Sequence, residues 1–76
     1  MKNIQTLALN HSIARTINLA NIYKDNDEAM YKIFADQLQE EVIIKAKMDI
    51  GQPLTQFEQI HLEALIKQFK LDVAEA

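Results

Sequence analysis

The chain contains no cysteine, no tryptophan, one glycine and one proline among its 76 residues. Without cysteine, no disulfide can stabilise the fold, and a reducing compartment such as the cytoplasm is favoured. No apolar run exceeds three residues, as in Val42-Ile43-Ile44, so a membrane span of roughly 20 apolar residues is not expected. The start, Met1-Lys2-Asn3-Ile4, matches neither a signal peptide nor a lipidation motif.

The composition, with 49% hydrophobic and 25% charged residues, is typical of one soluble domain, which we place at residues 1–76. A chain this short buries only roughly 60% of the surface that it exposes when unfolded. Stability is therefore marginal, and oligomerisation is one common way to increase it.

The net charge of -3 is distributed unevenly. Residues 1–24 sum to +3 and contain no acid, residues 25–41 sum to -5, and residues 42–76 sum to -1. This asymmetry fits an attraction between the first and second helices or the steering of a charged partner. Solvated helix faces of different charge are the simpler interpretation, because exposed ion pairs contribute little.

Local signals predict three helices and no strand. Gly51-Gln52-Pro53 is the one strong interruption, and Thr55-Gln56-Phe57-Glu58 fits a capping box that begins a helix at Gln56. The capping residues between Lys24 and Glu28 predict a second start near Asp27. The sequence therefore predicts an all-α three-helix bundle with helices at about residues 3–23, 27–49 and 56–71.

Each predicted helix carries two apolar stripes at helical spacing. In the second helix, one stripe contains Tyr31, Phe34, Ala35, Leu38, Val42 and Ala46, and the other contains Met30, Ile33, Ile44 and Met48. Ile43 stands alone on the polar face of this helix. The first helix has Leu9, Ile13, Ile17 and Ala20 on one side, with Ile4, Ala8, Leu19, Ile22 and Tyr23 on the other. In the third helix, the stronger stripe is Leu62, Leu65, Ile66, Phe69 and Val73, and the weaker one is Phe57, Ile60, Ala64 and Leu71.

Two stripes per helix are partly explained by a monomeric bundle, in which each helix touches two neighbours. Burial of the second stripe in a homodimer, or against another protein, is the alternative that we favour. The predicted interface consists of Met30, Ile33, Ile43, Ile44 and Met48. Methionine suits such a surface because its unbranched side chain adapts to a partner.

Candidate catalytic and metal-binding residues are few. Glu58-Gln59-Ile60-His61 has the Glu-x-x-His spacing of di-iron bundles, but one copy is insufficient and Glu58 also fits the capping box. His11 projects about 100° away from Ser12 on a helix, so the pair does not form a nucleophile and base. We therefore predict no catalytic residue, no metal and no cofactor.

The sequence predicts a small non-enzymatic regulator, inhibitor or adaptor that binds another protein. The alternative is a helical DNA-binding repressor that uses the polar face of the first helix, which lacks carboxylates. That face contains Asn10, His11, Arg15, Asn18 and Asn21. Nucleic acid is the less favoured partner because this face has few cations. Binding to a membrane surface is not expected, because the helix lacks the density of Lys and Arg that such binding requires.

Overall fold

The structure, a computed structural model, describes residues 3–75. These residues form three helices, α1 (Ile4–Tyr23), α2 (Glu28–Asp49) and α3 (Gln56–Glu75), and no strand. The predicted all-α class and the number of helices are confirmed.

Side-chain caps begin all three helices. Asn3 Oδ1 accepts from the Thr6 amide over 2.8 Å, and Asp27 Oδ1 accepts from the Met30 amide over 3.1 Å. At α3, Thr55 Oγ1 accepts from the Glu58 amide over 3.2 Å, and Glu58 Oε1 accepts from the Thr55 amide over 2.8 Å. This reciprocal pair is the predicted capping box, and each bond satisfies an amide that the helix itself leaves free.

The end of α3 differs from its prediction. The helix continues past Leu71 to Glu75, while Ala76 lies outside the described residues. Asp72 contacts His11 of α1 at 2.9 Å and accepts from Gln68 over 2.8 Å. These bonds hold the turn that follows Leu71 against α1, and no glycine or proline interrupts the sequence there.

Helix α1 packs against both other helices, whereas the backbones of α2 and α3 approach each other at few points. The chain reverses between α1 and α2, so that Tyr23 stacks on Phe34 with ring centroids 5.7 Å apart. The gap between α2 and α3 is open to solvent, and the molecule measures 38 × 30 × 19 Å.

The buried core is small and partly polar. Its apolar members are Ala8, Leu9, Ala20, Ile44 and Leu62, and its polar members are Thr16 and Glu41. The predicted core stripe of α2 is wrong in its second half, because Val42 and Ala46 are exposed while Glu41 and Ile44 are buried. Glu41 and Ile44 are the most buried positions of α2, and the half-buried Met30, Phe34, Gln37 and Met48 lie on the same side at alternating steps of four and three residues.

Candidate functional site

A polar layer joins α1 to α2 in the middle of the core. Glu41 is fully buried, and its Oε1 accepts from Ser12 Oγ over 2.9 Å, from Thr16 Oγ1 over 3.1 Å and from Gln37 Nε2 over 3.0 Å. Its Oε2 also accepts from Thr16 Oγ1, over 3.2 Å. Within residues 3–74, no buried side-chain nitrogen or oxygen atom is left without a hydrogen-bond partner. The layer therefore satisfies a carboxyl group whose burial is otherwise costly.

Above this layer, a groove of about 650 Å³ opens between α2 and α3 with α1 as its floor. We call it the polar groove. Ser12, Thr16 and Gln37 lie at its floor beside the layer. Its other lining residues are Arg15, Leu19, Ile33, Phe34, Asp36, Glu40, His61, Ala64, Leu65 and Gln68. The mixture of charges and apolar groups gives the groove no single preferred ligand.

A second, more apolar pocket of about 330 Å³ lies between the end of α2 and the start of α3. It is lined by Ile43, Ile44, Phe57 and Ile60, with the polar residues Glu40, Glu58 and His61. Phe57 is 87% exposed, Ile60 57% and Ile43 45%. We call Ile43, Phe57 and Ile60 the apolar patch. Three large apolar side chains from two helices thus meet at one exposed site.

The turn between α2 and α3 places Phe57 beside Ile43. The Gly51 amide donates to the Met48 carbonyl over 3.2 Å and the Gln52 amide to the Lys47 carbonyl over 2.8 Å, which is the Schellman pattern of a helix end. Gly51 has φ of 73°, a left-handed conformation that glycine adopts without strain. The capping box then starts α3 within a few residues, so the direction of its first turn is well defined.

An ion pair reinforces this turn. Lys47 Nζ lies 2.7 Å from Glu58 Oε1 and 2.9 Å from Oε2, and both side chains are largely shielded from solvent. The hydrogen bonds from the Lys47 ammonium and then from the Thr55 amide lower the pKa of Glu58 below the ordinary value of 4.5. One carboxylate thus caps α3 and links it to the last turn of α2.

The polar groove and the apolar pocket share Glu40 and His61. Glu40 Oε2 lies 3.6 Å from His61 Nδ1, so the pair spans the opening between α2 and α3. This contact divides the opening into a polar part and an apolar part.

A separate polar cluster links α1 to the end of α3. Asp72 Oδ2 lies 2.9 Å from His11 Nε2 and 3.9 Å from an Arg15 guanidinium nitrogen. The hydrogen bond with His11, then that from Gln68 and the charge of Arg15, lower the pKa of Asp72 below its ordinary value of 3.8. The polar face of α1 contains no carboxylate of its own, as predicted, but α3 brings Asp72 against His11 and Arg15 on this face.

The five predicted interface residues have different environments. Ile33 and Ile43 are exposed, and Met30 and Met48 are half-buried. Ile44 is only 1% exposed and belongs to the core of the single chain. It lines the apolar pocket and does not form an open surface. The assignment of the five residues to an interface stays a prediction.

Sequence reasoning recognised Ile43 as an apolar residue on a polar face and assigned Phe57 and Ile60 to a weaker stripe. It did not place the three together, because their proximity depends on the geometry of the turn at residues 50–55. The lining of the polar groove was also missed, since Ser12, Thr16 and Gln37 resemble ordinary solvent-facing residues in the sequence.

The residues considered for chemistry are engaged separately. Glu58 binds Lys47 and Thr55, while His61 faces Glu40 and His11 faces Asp72. The Ser12 hydroxyl donates to Glu41. Among the side chains of residues 3–74, no group of three or more His, Cys, Asp or Glu is arranged to hold a metal ion.

None of the three helices, over the residues described, combines the length and the apolar character that crossing a membrane requires. Comparisons of the chain with protein-family models, with curated proteins and with solved structures found no significant match.

Proposed function

We propose that this chain is a small, non-enzymatic protein-interaction module that binds through the apolar patch. The observation that carries the proposal is the exposure of Phe57 beside Ile43 and Ile60, above a pocket whose floor is the buried Ile44. An aromatic anchor next to a preformed apolar pocket has the composition of an interface hot spot. Exposed apolar side chains in contact with one another favour association more than isolated ones do.

The rim of the patch supports the same proposal. Glu58 is paired with Lys47, and Glu40 faces His61. A partner that covers the patch therefore meets a Glu58 whose charge is compensated by Lys47, within a polar rim of the kind that surrounds apolar interface centres. The partner is a second copy of the chain, which gives a homodimer, or another protein on which the chain acts as regulator, inhibitor or adaptor in the cytoplasm.

Photo-crosslinking tests the proposal. A benzophenone amino acid at position 43 reports contacts of the apolar patch, and the same group at Ile22 is the matched control, since Ile22 is an exposed helical isoleucine outside the pocket lining. We expect a discrete adduct, in cells that express the chain, from position 43 and not from position 22. Equal labelling from the two positions would contradict a docking role for the patch.

Binding of DNA by α1 has less support in the fold, because the Asp72 carboxylate of α3 lies 2.9 Å from His11 Nε2 and 3.9 Å from an Arg15 guanidinium nitrogen. A phosphate at that face competes with this carboxylate. Titration of random duplex DNA at two salt concentrations separates the two functions. Salt-sensitive affinity that increases in Asp72→Asn would favour the DNA-binding function over the one proposed here.

A further inference from the structure

The chain exposes more surface than a compact monomer of its mass. Its accessible surface is 5652 Å², whereas the surface scaling of monomeric proteins gives roughly 4,700 Å² for a mass of 8.7 kDa. The excess of about 900 Å² is close to the roughly 800 Å² that each partner buries in a protein interface of standard size. Burial of an interface of this size would bring the exposed surface per copy close to that of a compact monomer.

The apolar patch contains both an exposed ring and a pocket. Phe57, in the first turn of α3, is 87% exposed and lines the pocket together with Ile43, Ile44 and Ile60. A twofold axis near the patch would place the Phe57 ring of each copy over the pocket of the other. In such an isologous contact, one protrusion and one pocket per chain are sufficient, because each contact occurs twice.

The charges around the patch permit this approach. The Lys47–Glu58 pair neutralises the carboxylate nearest to Phe57, with nitrogen–oxygen distances of 2.7 and 2.9 Å. Glu40 faces His61 within the same chain. The Lys47–Glu58 pair therefore reduces the repulsion between carboxylates of two copies that otherwise opposes association.

We propose that the apolar patch is the interface of a homodimer, in which Phe57 of each copy occupies the other's pocket at Ile43 and Ile60. This inference rests on the proposed function and identifies the partner as a second copy of this chain. The dimer extends the small core of each chain across the interface and covers the largest exposed aromatic side chain.

Sedimentation equilibrium of the purified chain tests the inference. We expect the wild type to approach twice the 8.7 kDa monomer mass with rising concentration. Phe57→Asp should raise the dimer dissociation constant on the order of a hundredfold, because each dimer loses the contact twice. Ile22→Asp, at an exposed site outside the pocket, is the control and should sediment as the wild type. Circular dichroism checks that both variants keep their helices.

Disulfide trapping tests the reciprocal geometry in a mixed dimer that keeps one of the two Phe57 contacts. The natural chain has no cysteine, so Phe57→Cys and Ile43→Cys chains can form only engineered disulfides. When the two variants are mixed under mild oxidation, we expect crosslinked dimer in higher yield than from either variant alone. Equal yields from the mixture and from the separate variants would overturn the contact of Phe57 in one copy with the Ile43 pocket of the other.

The outcomes separate this inference from the proposed function. A wild-type chain that stays monomeric at its highest soluble concentration overturns the homodimer; if position 43 still crosslinks in cells, the patch binds a different protein and the proposed function stands. A dimer that survives Phe57→Asp uses another surface, and the inference is wrong. A dimer lost in Phe57→Asp and kept in Ile22→Asp supports both.

Discussion

Glu41 is held by hydrogen bonds alone. Its two oxygen atoms accept from Ser12, Thr16 and Gln37, and no ion pair in the described part of the chain includes it. The three donors and the carboxyl group depend on one another, because removal of the shared acceptor leaves buried donors without partners.

We therefore expect Glu41→Ala to lower the free energy of unfolding by about 3 kcal/mol, through a cavity and unsatisfied donors. A triple variant, Ser12→Ala, Thr16→Val and Glu41→Leu, should recover much of this loss, since it replaces the buried acceptor and both hydroxyl donors by apolar residues and leaves only the half-buried Gln37. Urea unfolding measures both. An effect of Glu41→Ala below about 0.5 kcal/mol, the range of ordinary surface substitutions, would contradict the buried position of the carboxyl group.

Glu58 and Asp72 give the protein a stability that depends on pH. Both have a pKa lowered in the folded state, from 4.5 for Glu58 and 3.8 for Asp72. Their stabilising contribution is present above these values and is lost as the pH falls through the lower pKa values of the folded state. The chemical midpoint of unfolding should therefore decrease as the pH is lowered below about 4.5, and Glu58→Gln with Asp72→Asn should flatten this decrease. If the double variant loses stability at low pH as much as the wild type does, other carboxylates cause the acid sensitivity.

At the scale of the helix, α2 shows why the sequence predicts some features and not others. The starts of α2 and α3 could be predicted because capping depends on residues only three positions apart, as for Thr55 and Glu58. The inward face of α2 could not, because Gln37 and Glu41 are polar and face inward only when Ser12 and Thr16 lie opposite them. Hydrophobic periodicity consequently assigned Val42 to the core in place of Glu41.

The neighbours Ile43 and Ile44 test this corrected face of α2 directly. Ile44 is buried and Ile43 is 45% exposed. We expect Ile44→Ala to cost about 2–5 kcal/mol through loss of packing and a residual cavity. Ile43→Ala, the same truncation one position earlier, should cost well under half as much when measured at low protein concentration. Similar losses at the two positions would show that both side chains are in the core.

The candidate site depends on the junction of α2 and α3, whose geometry local sequence signals specify only in part. Sequence signals for the turn were clear at Gly51, Pro53 and Thr55, but they specified where the helices end and begin rather than the angle between them. The Lys47–Glu58 pair contributes to this angle, and it joins residues that no local motif connects. The proximity of Ile43, Phe57 and Ile60 is for that reason a result of the fold.

At the scale of the whole molecule, the small buried core and the large accessible surface mean that the proposed homodimer would add to the stability of the folded chain. Five apolar residues form the buried core, whereas twelve large apolar side chains, Phe57 among them, remain exposed among the described residues. Burial of some of these side chains between copies adds stability only to the associated state.

The melting temperature of the wild type should therefore rise with protein concentration, because dissociation accompanies unfolding. Phe57→Asp should melt at a lower temperature that does not vary with concentration. Scanning calorimetry at several concentrations measures both, with Ile22→Asp as the control. A wild-type melting temperature that is constant over a wide concentration range would contradict association in the folded state.

The polar layer also restricts how α1 and α2 can slide along each other. Displacement by one heptad would move Glu41 from Ser12 and Thr16 to positions opposite Leu19 and Tyr23, or opposite Gln5 and Leu9 in the other direction. Either shift replaces one of the two hydroxyl donors by a leucine, which cannot donate a hydrogen bond, so the carboxyl group has fewer partners. We expect one register and a single set of nuclear magnetic resonance signals, even though the apolar residues of the two helices would tolerate several alignments.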